Sequence, residues 1–247
     1  MDTSWEVHWG SEKVIIDPWL LGSEVDYFQW FNEQWHTTEP MSLVEIEKPN
    51  FILISQSYSD HCHEETLQKF AKDIPILASP KAYKRLKRTF SKNRLIKLPI
   101  LSKEGFLEFN GLKIATLDPR RCIDPIYYAH VICNGNDAIF YSSHGFSLDS
   151  KQLAFLKPLR MKALLTSFSE IRLPSLFGGK VNPGLENVDQ LIGQLNPTYI
   201  TNTHDEQKTH SGLVMKMAKT NYPDLMDLEF NSTEILTFND YQFRDIY

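Results

Sequence analysis

Hydrophobic positions along the chain fall into short runs separated by polar turns, and a helical period appears between some of them. Phe51-Ile-Leu-Ile54 is an unbroken apolar run of strand length and predicts a buried strand. After a polar stretch the pattern predicts a helix over 64–72, a strand over 74–78, a helix over 80–90 opened by Pro80, and a strand over 94–98. This β-α-β-α-β succession is the unit from which half of a layered α/β fold is built. Ahead of it, residues 5–9 and 13–17 read as a hairpin turned at Gly10-Ser11, and Asn110-Gly111 turns a second hairpin over 106–117. Further strands are predicted at 127–133, 138–141, 163–166, 199–201 and 235–238, with helices at 148–156, 185–195 and 209–221. In the helix at 185–195, Leu185, Val188, Leu191, Ile192 and Leu195 recur at a spacing that buries one face. The expected class is α/β (α+β).

Composition narrows this picture. With 247 residues, 42% of them hydrophobic, and no Pro/Gly/Ser-rich linker or charge block, the chain is read as one domain over 1–247. A net charge of −5 argues against a dedicated nucleic-acid binder. The basic residues Lys81, Lys84, Arg85, Lys87, Arg88 and Lys92 read as a solvated helix face. Cys62, Cys122 and Cys133 are too few and too unevenly spaced for a disulfide framework or a thiolate zinc site, so reduced thiols and a cytoplasmic location are expected. The N-terminus has no basic segment leading into an apolar core, and no apolar stretch reaches membrane-spanning length. Residues 26–36 hold five aromatics without strand alternation; buried packing, a lid or substrate wall, a dimer contact and a lipid-facing surface all remain open, and with them a homo-oligomer.

The chemistry concentrates after the Phe51 run. The loop Ser55-Gln-Ser-Tyr-Ser-Asp60-His61-Cys-His63 places one carboxylate and two imidazoles between a buried strand and a helix start, where a rigid scaffold holds them open to a ligand. Adjacent Asp60 and His61 offer an oxygen and a nitrogen donor, a pairing suited to zinc, iron or manganese. His63 reads as a ligand, a group supporting one, or the start of the helix. Asp17, in Asp17-Pro-Trp-Leu, reads equally as a loop-capping turn former and as a support for the metal loop. Arg120, Arg121 and Lys180 are candidate contacts to an anionic substrate group; Gly178-Gly-Lys180 lacks P-loop spacing, and the segment around it reads as a mobile rim loop. His130 sits in an alternating strand pattern and reads as structural.

A hydrophobic strand ending in Ser and a loop closing on Asp60-His61 resembles the H-x-H-x-D-H signature of the metallo-β-lactamase fold. In that register the two leading histidines are replaced by Gln56 and Tyr58, which remain as candidate substrate contacts. Ala138-Ile-Phe-Tyr-Ser-Ser-His144-Gly145 resembles the strand and turn that present the bridging acid, with His144 in its place, and Tyr199-Ile-Thr-Asn-Thr-His204-Asp205 resembles the strand end carrying the last histidine. The Asp-Pro-Trp-Leu stretch is similar to the ascorbate-phosphate lactonase-like branch. The resemblance implies a four-layer αββα sandwich and a site of Asp60, His61, His144 and His204, with His63 a further candidate, holding one divalent metal. Zinc is expected, with manganese and iron as alternatives.

Two functions follow as expectations. One is a single-metal hydrolase of a small ester, lactone or phosphoester, in which Asp60 or Asp205 takes up a proton. The other is a degenerate member that binds a ligand or partner in the old cleft. An iron oxidoreductase would need a second redox centre, which the sequence does not display.

Overall fold

The computed structural model describes residues 2–119, 127–177, 179–238, 241 and 243–246. Arg120, Arg121, Cys122 and Gly178 lie outside the described residues. The chain divides into two compact units, neither of them contiguous in sequence. One takes Asp2–Leu98 with Glu206–Lys216; the other takes Pro99–Asp205 with Met217–Tyr247.

The first unit is built on a five-stranded sheet in the order Trp5–Trp9, Glu12–Ile16, Phe51–Ile54, Ile76–Ala78, Leu95–Lys97. The outer hairpin is antiparallel and the other pairings are parallel. All four residues of Phe51–Ile54 are buried, as expected for a parallel strand in the middle of a sheet. Helices Glu64–Lys69 and Pro80–Leu86 supply the crossovers. Ile52, Ile54, Leu67, Ile76, Ala82 and Leu86 share one core.

The second unit carries a seven-stranded sheet in the order Glu234–Ile235, Tyr199–Asn202, Arg160–Thr166, Asp137–Ser142, Ala129–Asn134, Leu112–Leu117, Leu107–Phe109. Its first four strands run parallel and the rest are antiparallel. Helices Leu101–Glu104, Ser150–Leu156 and Leu185–Leu195 belong to this unit. Asp149 and Gln152 form a capping box at the start of the second of these. Val188 and Leu191 place the apolar stripe of the third in the core beside Leu164 and Ile200. Both predicted hairpins are present, with Asn110 and Gly111 at φ 50° and 79° as an Asn-Gly turn requires.

Three segments differ from the sequence expectation. Residues 209–221 are not one helix: Thr209–Ser211 is a strand paired with Glu33–Trp35, Leu213–Met217 is a short helix, and Lys219–Asn221 is a strand. The break comes at Gly212, where φ is 105° and an added Cβ would lie 2.6 Å from the Phe31 carbonyl oxygen. Around residues 167–183 the chain forms the antiparallel strands Glu170–Arg172 and Lys180–Pro183 rather than a rim loop. Within 26–36, Glu33–Trp35 is a strand, while Tyr27, Phe28 and Trp30 are exposed. The thiols of Cys62 and Cys133 are free and buried, and His130 is fully buried against Thr116. Among the described residues no helix is long and apolar enough to cross a membrane.

Candidate metal centre

In the first unit the chain leaves the Phe51–Ile54 strand through buried Ser55 and Gln56 and reaches Asp60 and His61, both buried. The His61 ring is fixed from behind. Its Nδ1 lies 2.8 Å from Asp17 Oδ2, and because a carboxylate can only accept there, Nδ1 carries the proton. Asp17 is held in turn: its Oδ1 accepts from Ser55 N at 2.7 Å, its Oδ2 accepts from Ser55 Oγ, and its own N donates to the Leu53 carbonyl. It sits at φ 45° just after the Glu12–Ile16 strand, so the turn-forming and ligand-supporting readings of Asp17 describe the same residue. The second ring nitrogen of His61, Nε2, is 3.8 Å from Asp60 Oδ2. Burial works against the imidazolium, yet the carboxylates of Asp60 and Asp17 outweigh it and raise the His61 pKa.

Asp60 is also 3.7 Å from Lys208 Nζ, which pairs with Asp2 Oδ2 at 2.8 Å. Ser59, the residue before it, has its single hydroxyl shared between Glu24 Oε2 at 2.5 Å and Asp26 Oδ1 at 2.9 Å. Burial, then the charges of Asp60 and Asp26, push Glu24 up to about 9. Gln56 is fully buried and Tyr58 partly buried. His63 caps the following helix: Nδ1 accepts from Thr66 N at 3.3 Å and Nε2 lies 3.4 Å from the Ser23 carbonyl oxygen.

In the second unit His144 follows the Asp137–Ser142 strand and His204 follows Tyr199–Asn202. Their rings lie 4.4 Å apart, centroid to centroid, at 63°. His144 is buried, and its Nδ1 is 2.8 Å from Asn182 Oδ1. The Asn182 amide nitrogen donates to Ser167 Oγ at 2.9 Å and Ser169 Oγ at 3.2 Å. The Tyr127 ring lies against His144, centroids 4.2 Å apart and tilted at 39°. His204 has the left-handed φ of 60°. Its neighbour Asp205 accepts from Ser167 Oγ at 2.6 Å, Phe168 N at 2.7 Å and Ser169 N at 3.1 Å. Both oxygens of Asp205 are therefore engaged with the 167–169 turn. Through Ser167 and Ser169, that turn links the Asn182 support of His144 to the residue beside His204. Lys180 Nζ pairs with Glu170 at 3.3 Å and Glu186 at 3.8 Å.

The strand ends carrying the metal-capable side chains were legible in the sequence; Asn182, Ser167 and Lys208 were not. Asn182 lies 38 residues beyond His144 in a strand the pattern concealed, and no local motif joins them.

Comparison with known proteins decides the family. The family described as the beta-lactamase superfamily domain matches residues 2–204. The chain belongs to this superfamily. No curated protein matches it. Among solved structures sharing this fold, isothiocyanate hydrolase from Delia radicum gut bacteria superposes with a TM-score of 0.64 at 15% identity, covering 84% of this chain and 83% of its own. A possible metal-dependent hydrolase from Veillonella parvula has a TM-score of 0.64 at 12% identity, covering 82% of each chain. A novel metallo hydrolase from the archaeon Ignicoccus hospitalis has a TM-score of 0.59 at 15% identity, covering 82% of this chain and 79% of its own. These neighbours share the mixed α/β metallo-β-lactamase fold with this chain.

Proposed function

We propose that this superfamily member is a hydrolase using a single divalent metal held by His61, His144 and His204, with Asp60 as the carboxylate donor. The observation that carries the reading is common to both units. His61 and His144 each commit Nδ1 to an oxygen acceptor, Asp17 Oδ2 and Asn182 Oδ1, which sets Nε2 as the nitrogen available to a ligand. Metal-ligating histidines characteristically take such partners, which fix the tautomer and ring orientation. Three imidazoles and a carboxylate match the donor preference of zinc, with iron and manganese as alternatives. Gln56 and Tyr58, where the fold's signature has histidines, support one metal rather than two.

When bound, such a metal polarises the substrate and activates water for attack near neutral pH. The chain's own residues supply the rest. In this reading Asp60, when displaced from the metal, takes up a proton, and Asp205, with both oxygens committed to the 167–169 turn, supports the position of His204 rather than acting as a base. His63 is left out of the donor set because its ring caps a helix. The fold hosts many chemistries, so the substrate is proposed by resemblance as an ester, lactone or phosphoester, and the isothiocyanate hydrolase neighbour adds an isothiocyanate to the panel.

The test is metal analysis of protein purified without chelator, beside an activity screen over these four substrate classes with zinc, manganese and iron. About one metal per chain is expected in the wild type, falling below roughly a tenth in His61→Ala and His204→Ala, with turnover lost in parallel. A second reading, a binder in a degenerate cleft, is favoured by the missing leading histidines. Sub-stoichiometric metal in wild type and variants alike would select it.

A further inference from the structure

Lys208 is the cation of the first unit that the proposed function leaves unexplained. Its side chain is 7% exposed, beside Asp2 at 1% and Asp60 at 11%. Nζ lies 2.8 Å from Asp2 Oδ2, 3.7 Å from Asp60 Oδ2, and 5.3 Å above the ring centre of Trp19, itself fully buried. Lysine is almost never enclosed this far unless its charge is paired. Acidic side chains crowd around it, although Glu24, pushed up to about 9, is held protonated near neutral pH. Glu24 and Asp26 share Ser59 Oγ immediately before Asp60, and Asp2 and Asp60 flank the ammonium directly. On the loop itself Gln56 and Tyr58 carry no positive charge and are poor metal ligands. The local excess of carboxylates is of the kind that otherwise attracts a divalent ion to oxygen donors, and here a side chain contributed by a distant segment of sequence meets it.

We propose that the Lys208 ammonium, held between Asp2 and Asp60, is the fixed second cation of this centre, taking the place of a second divalent ion and limiting the chain to one exchangeable metal. The inference rests on the single-metal reading above. Asp60 then serves two cations at once, as a carboxylate does between two metals. Because an ammonium has no exchangeable coordination position, it orients Asp60 and balances its charge without activating water. Lys208 is in this sense a positioning residue.

The test titrates zinc ion into metal-stripped protein, with the stoichiometry read by calorimetry and by metal analysis of the dialysed complex. Wild type takes up one equivalent. Lys208→Met releases Asp2 and Asp60 and takes up two, whereas Lys208→Arg, which keeps the charge, stays at one. A Lys208→Met protein that binds one equivalent with wild-type affinity overturns the proposal and leaves the single-metal hydrolase standing. A wild type that binds none while Lys208→Met binds one sustains Lys208 as the occupant of a cation site and removes the hydrolase reading. No binding by either removes both. Should Lys208→Met fail to fold, Lys208→Gln, which keeps a polar head without the charge and leaves Asp2 and Asp60 intact, replaces it: two equivalents are expected, and one equivalent at wild-type affinity overturns the proposal.

Discussion

At the scale of single residues, the candidate centre depends as much on what stands behind each imidazole as on the imidazoles themselves. Asp17 is fully buried, accepts from Ser55 twice, and fixes the proton of His61 on Nδ1. Asp17→Asn keeps the shape and an acceptor for Ser55 but removes the charge facing His61. Metal affinity is expected to fall roughly 10- to 100-fold while the far-ultraviolet circular dichroism stays unchanged. Competition with a chromogenic chelator measures this, and wild-type affinity in the variant would show that His61 does not hold the metal. Asn182 plays the corresponding part for His144, with an amide in place of a carboxylate. The two histidines are thus supported by groups of different charge.

At the scale of elements, each candidate ligand sits in the loop or turn that follows a strand: Asp60 and His61 in the loop after Phe51–Ile54, His144 two residues past Asp137–Ser142, and His204 two residues past Tyr199–Asn202. Turns at such ends must be tight, and Gly145 shows how tight. Its φ is 76°, and a Cβ there would lie 2.5 Å from Asn187 Oδ1 and 2.6 Å from Pro183 Cγ. Asn187 is not free to retreat, since it bonds both the N–H and the carbonyl of Phe146. Gly145→Ala is therefore expected to lower stability by about 1–3 kcal/mol, through backbone strain and overpacking together. A urea denaturation series checks it, and an unchanged midpoint would mean that the turn opens without cost. The predicted helix over 209–221 failed for an elementary reason. Its helical spacing was interrupted at Gly212, which the chain uses to pass close to the Phe31 backbone.

At the scale of the whole molecule, the two compact units exchange chain: residues Glu206–Lys216 leave the second unit's stretch of sequence to belong to the first. Neither unit can be excised as one continuous segment. We therefore keep the single-domain reading of residues 1–247 as a proposal, and it predicts one cooperative thermal transition with equal calorimetric and van't Hoff enthalpies. Two resolved transitions in scanning calorimetry would show the units to be independent. The excursion also carries Lys208 and Glu206 into the first unit. There Glu206 accepts from Thr38 and pairs with His36 at 2.9 Å, which anchors the start of the segment.

By itself the sequence determined the class of the fold, both hairpins, the β-α-β-α-β run and the strand ends on which Asp60, His61, His144 and His204 stand. These are set by local periodicity and by turn residues whose preferences act over a few neighbours. Tertiary structure alone decided that Asp17 backs His61, that Asn182 backs His144, that Asp205 is turned onto the 167–169 backbone, and that Lys208 joins Asp2 and Asp60. Each of these is a polar contact between residues distant in sequence. A buried polar group must find a partner, but its sequence does not say which, because the choice falls to whatever the packed sheets bring within hydrogen-bond distance.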